Sequence, residues 1–194
     1  MQRFPLLFLA TLSILLSACA HPITINPSQD SFSTISTEYS EKIVGYVMTD
    51  IDRTREVTTA GGGGDKISYF PYKDLEKGLR DALKALYKDV FAVASPMDSE
   101  RLQRDGIQLI YSPEIHTVSD SDSLFTWPPT NFSVDIASAV TDPNGNQIAR
   151  FEVSGQGQAT FSEFTSDFGL AGRRAAQDAL EKFTAAVRNN EKLK

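Results

Sequence analysis

LLSACAHP, residues 15–22, contains Cys19, the only cysteine in a chain of 194 residues. A thiol with no partner cannot form an intramolecular disulfide, which leaves burial, reactivity, metal binding or covalent modification. The other chemistry-bearing side chains are sparse. His21 and His116 are the two histidines, so zinc would need more nitrogen or sulfur ligands than the chain owns. A Ser-His-Asp hydrolase would have to use His116, and no nucleophile-elbow sequence accompanies it. Gly61 to Gly64 invite a phosphate-loop reading, but the run continues as Asp65-Lys66-Ile67 rather than Gly-Lys-Ser/Thr, and a hairpin tip is the expectation. Asp142, Asn144 and Asn146 alternate like the start of a calcium loop, yet Gly145 stands at the fourth position instead of the sixth, which reads as a turn. Asp120 and Asp122 in SDSDS read as solvated loop acids. No catalytic residue, metal site or cofactor is expected.

Two further stretches bear on binding. LFTWPPT (124–130) sets Phe125 and the sole tryptophan, Trp127, beside Pro128 and Pro129. Aromatics next to rigid prolines in a loop form a candidate partner-binding surface, with Trp127 covering one end of the core as the alternative. Arg173-Arg174 stand near the start of the last helix, where the dipole disfavours cations, and either grip an anion or pair with Glu163 and Asp167.

The flanks of Cys19 narrow its role. Residues 1–3 form a short basic start, and FPLLFLATLSILL (4–16) is an apolar run of signal-peptide length, too short to span a bilayer as a helix. Leu16-Ser17-Ala18-Cys19 resembles the lipobox of bacterial lipoproteins. That resemblance implies a signal peptide over residues 1–18 and a Cys19 that carries a diacylglycerol thioether and an N-acyl chain. With Ala20 rather than aspartate following, it implies an outer-membrane anchor with the domain facing the periplasm. At about 0.8 kcal/mol per buried methylene, two or three such chains hold firmly.

Without residues 1–18 the chain keeps 18 basic and 25 acidic side chains, a formal charge of −7, which disfavours nucleic acid. Residues 19–40 are rich in Ser, Thr and Pro and read as a lipidated cysteine with a flexible tether, residues 23–26 offering an edge strand; residues 41–194 read as one α/β domain.

KIVGYVMTDI (42–51) reads as a central strand covered on both faces, and 53–59 with 66–70 as a hairpin around the glycines. Leu75, Leu79, Ala82, Leu83, Leu86 and Val90 recur at helical spacing after Pro71, with Lys73, Asp74 and Glu76 among the polar residues opposite and Gly78 as the weak point. Residues 91–94 form a short strand, and Ser95-Pro96 start a short helix through Arg104. A strand from Ile107 is broken at Pro113 and resumes at 115–118. Phe132, Val134, Ile136, Ser138 and Val140 define one face of a long strand, and Asp142-Pro143-Asn144-Gly145 turns the chain back. Phe151, Val153, Gly155, Gly157, Ala159 and Phe161 face the same way on the return strand, leaving room for a closing helix over 170–188. The expected fold is α+β, a two-layer sandwich of a mostly antiparallel sheet with two main amphipathic helices on one face.

On lipobox, tether, the strand-helix-strand unit, the VTDPNGNQIARFEVSG hairpin and the Ala-rich closing helix, the chain resembles small periplasmic α/β lipoproteins of Gram-negative bacteria, the YajG-like ones among them. The implied role is a non-enzymatic envelope accessory that binds an envelope protein or lipid. A lipid or lipopolysaccharide carrier is the second reading, and a hydrolase using His116 the third.

Overall fold

The computed structural model describes residues 20–27, 40–59, 66–121 and 128–194. Strand alternation builds the centre of the molecule. Strand β7 (Asn131–Thr141) alternates buried and half-buried residues without a break, because each second side chain of a strand points to the same face. It pairs antiparallel with β6 (Leu109–Asp120) on one side and β8 (Gln147–Gln158) on the other. β2 (Ser40–Val47) and β5 (Tyr87–Val93) complete the sheet in the order β5-β2-β6-β7-β8. β2 runs parallel to both its neighbours. The fold is α+β as expected; the sheet is mixed, antiparallel along β6-β7-β8, which holds most of its pairing, and parallel at β2, since helical crossovers bring β5 and β6 in beside it.

A second sheet has the order β1-β4-β3, from His21–Pro22 (β1), Ile67–Tyr69 (β4) and Val57–Thr58 (β3). β3 and β4 pair antiparallel, as the expected hairpin requires. Gly61 to Gly64 lie outside the described residues.

Helix α2 (Pro71–Lys84) follows the short α1 (Asp50–Arg53), and α5 (Leu170–Arg188) closes the fold after α3 (Ser99–Arg104) and α4 (Phe161–Ser166). Leu75, Leu79 and Leu83 of α2 and Ala176, Leu180, Phe183 and Val187 of α5 share the main core with Tyr111, Val134 and Ile136. A smaller cluster, Val93, Leu102, Ile107 and Ile110, lies under α3. The two glycines of β8 set the helix position: a Cβ on Gly155 would stand 2.3 Å from the Ala175 carbonyl oxygen, and one on Gly157 would stand 2.1 Å from that of Ala171. Sheet and helix meet backbone to backbone.

Four expectations shift. Leu86 and Val90 continue the helical spacing, but α2 stops at Lys84 and both residues reach the core from a turn and from β5. Asp98, not Ser95, caps α3, its side chain accepting from the Arg101 N–H. β6 runs unbroken through Pro113. The N–H of Ile115 points away from β7, to the Tyr72 hydroxyl at 3.0 Å; Pro113 has the same parity, so its missing donor falls on that edge, past the last β2 pairing at Tyr111. Phe161 is 61% exposed at the start of α4, because Thr160 and Glu163 form a capping box that ends the strand pattern.

Candidate functional site: the docked N-terminal segment

Residues 20–27, expected in the tether, are part of the fold. β1 adds in parallel to β4, with the His21 N–H donating to the Lys66 carbonyl at 2.7 Å and that of Ile23 to Ser68 at 2.8 Å. The His21 ring stacks on Phe168 at 4.5 Å. Ile25 is fully buried in the main core, and its methyl would meet a Cβ on Gly172 at 2.4 Å. Pro27 lies against Gly78, where a Cβ would be 2.8 Å from the proline ring and 2.6 Å from Leu180. The glycine that weakens the helix in isolation is the gap that seats the segment.

Asp74 holds this segment in place. Its carboxylate accepts the Ile25 N–H at 3.0 Å and is 6% exposed. Burial pushes its carboxyl up from the usual range, against the lowering effect of the bonds from the Ile25 and Phe70 backbone and of Lys73. Sequence spacing puts Asp74 among the solvated residues of α2. Only the arrival of a segment 49 positions earlier buries it.

A second polar cluster ties β2, α1 and α2 together. Arg53 grips Glu76 with two bonds, Nε to Oε2 at 2.8 Å and Nη2 to Oε1 at 2.7 Å, and the Tyr46 hydroxyl donates to Glu76 Oε1 at 3.1 Å. The bonds from Arg53 hold the Glu76 carboxyl down, while burial and the neighbouring carboxylate push Tyr46 up to about 12. These three groups are hydrogen-bonded to one another.

Cys19, Phe125 and Trp127 lie outside the described residues, as does Asp122; Pro128 and Pro129 are buried. His116 is exposed on β6, and its cross-strand partner is Asp135, whose own partner on β8 is Ser154. A triad needs the histidine between acid and nucleophile. Here the aspartate is in the middle, and two strand spacings of about 4.8 Å separate His116 from Ser154. That order does not support the hydrolase reading. Asp142 accepts from the Asn144 and Asn146 N–H groups at 2.9 and 2.8 Å, the expected turn chemistry. Arg174 pairs with Glu163 at 2.9 Å and Arg173 with Asp167, so both arginines are partnered.

A cavity of about 270 Å³ opens between the start of β2 and the C-terminal turn Glu191–Leu193, lined by Leu86, Tyr87, Val187 and Leu193. It is smaller than the usual range for sites that enclose a drug-sized ligand. The close packing at Gly155 and Gly157 also leaves no room for acyl chains between β8 and α5. Among the described residues no group of three or more His, Cys, Asp or Glu is placed to hold a metal ion, and no helix is long and apolar enough to cross a membrane.

No family model and no curated protein matches the chain. Among solved structures, a DUF330-family protein from Xanthomonas campestris is 9% identical with a TM-score of 0.48, covering 88% of this chain and 91% of its own. The PelC dodecamer from Paraburkholderia phytofirmans is 11% identical with a TM-score of 0.41, covering 74% and 92%. A protein from Caulobacter crescentus, named as a candidate lipoprotein, is 15% identical with a TM-score of 0.35, covering 59% and 77%. At these scores the similarities assign neither family nor activity.

Proposed function

We propose that this protein is a non-enzymatic lipoprotein, held in the outer membrane by acyl chains on Cys19, whose periplasmic domain binds an envelope protein or envelope component in an accessory role. The observation that carries the reading is the junction at Cys19: an apolar export-length run and lipobox-like residues end there, and His21, two residues on, is paired into a sheet. The acidic surface supplies no attraction for anionic head groups, so the lipid provides the membrane affinity.

Partner recognition falls to Phe125 and Trp127, followed in the sequence by Pro128 and Pro129, which are buried. The test of the anchor is Cys19→Ser. The native chain is expected to take up palmitate and sediment with membranes, and the variant to do neither. A variant that stays with the membrane fraction would overturn the anchor. A photo-crosslinker in place of Trp127 tests the loop in intact cells, where crosslinks found only at other surfaces would refute it.

A further inference from the structure

We infer that the end of the domain formed by β1, α4 and the start of α5 faces the bilayer, in contact with lipid head groups. This rests on the reading that Cys19 carries the lipid. Two residues of extended chain span at most about 7 Å, so the Cys19 Cα is within that distance of His21. His21 is fixed by its backbone bond to Lys66 and its stack on Phe168, and Ile25 is locked in the core four positions later. The lipid therefore meets the domain directly. The tether expected over residues 19–40 therefore does not hold lipid and fold apart, because residues 21–27 already pack on the fold.

The chain from His21 to Pro27 passes Phe168, Gly169, Gly172 and then Leu180, from the N-terminal end of α5 towards its middle. His21, two residues after Cys19, thus sits at the α5 start. The surface there suits the polar zone of a membrane. Phe161 projects from α4, flanked by the hydroxyls of Ser162, Thr165 and Ser166. The acids Glu163 and Asp167 are each matched by an arginine, which limits repulsion from anionic lipid. The Asp142–Gly145 turn lies at the opposite end of β7, whose eleven residues extend about 35 Å.

The acylated full-length protein, reconstituted in vesicles of phosphatidylethanolamine and phosphatidylglycerol, tests the orientation. Thr165→Cys and Asn144→Cys each carry one environment-sensitive fluorophore, and the vesicles contain a head-group spin-labelled quencher. The label at position 165 is expected to lose about half its emission and that at 144 to stay unchanged, since quenching reaches only the interfacial layer. Ile25→Asp, which frees residues 20–27 but keeps Cys19, is expected to equalise the two labels. If that variant does not fold, the native-background pair decides by itself. Equal quenching at 165 and 144 in protein whose mass shows the acyl chains overturns the orientation and leaves the anchor standing. A mass without acyl chains overturns both.

Discussion

The Ile25 backbone N–H donates to the Asp74 carboxylate at 3.0 Å, and both residues are buried. One bond therefore couples the segment that follows Cys19 to the first turns of α2. Asp74→Ala leaves that N–H buried without an acceptor and is expected to cost about 1–3 kcal/mol in urea unfolding. An unchanged midpoint would refute the latch.

Asp74→Asn keeps an acceptor oxygen and removes the charge. The folded carboxyl titrates above its unfolded value, so the folded chain binds the proton more tightly, and this contribution to stability declines as pH rises through the interval between the two. Relative to the native chain, the asparagine variant is expected to gain stability between pH of about 4 and neutrality. Parallel unfolding curves at both pH values would contradict the assignment.

Glu76→Gln breaks the two-bond grip of Arg53. Both side chains are about a third exposed or less, so the expected cost is about 1–2 kcal/mol. The folded Glu76 carboxyl titrates below its unfolded value, so its contribution is present above the ordinary carboxylate range and lost as pH falls. The gap between native and variant melting temperatures should close in acid.

Gly157→Ala drives a methyl into the backbone of α5 and is expected to cost about 3 kcal/mol or more. Gly145→Ala meets open space and pays only for its φ of +85°, about 1 kcal/mol. Thermal unfolding of the two variants should rank them in that order by a clear margin.

Along the outer edge of β8, Arg174 donates to the Gln158 carbonyl at 2.6 Å, Asp178 accepts the Gln156 N–H at 2.9 Å, and Lys182 donates to the Ser154 carbonyl at 2.8 Å. Side chains one helical turn apart thus cover a strand edge that invites pairing. Replacing all three by alanine is expected to promote self-association, read by light scattering during size-exclusion chromatography. A variant that stays as monodisperse as the native chain would show the clamp to be dispensable.

Local pattern was enough for β7, its turn and α5. Alternation at Phe132, Val134, Ile136, Ser138 and Val140, and helical spacing at Ala176, Leu180, Phe183 and Val187, are each set within one element. The glycines of β8 likewise announced a close neighbour. The α2–β5 boundary was not legible, because Leu86 and Val90 fit a helical period and a buried strand equally well. The lipidation proposed for Cys19 rests on its immediate flanks, whereas Asp74 has no signature of its own.

What the sequence determined by itself is the set of periodic elements, the α+β class and the lipobox-like cysteine, all of which depend on residues a few positions apart. Tertiary structure decided the parallel placement of β2 between β5 and β6, the burial of Asp74 and the docking of residues 20–27. Those outcomes depend on which distant surfaces meet. Ile25 has no periodic neighbours to mark it as core, and it becomes core because Gly172 and Gly78 leave gaps that Ile25 and Pro27 fill, with Asp74 accepting the N–H that burial would otherwise strand.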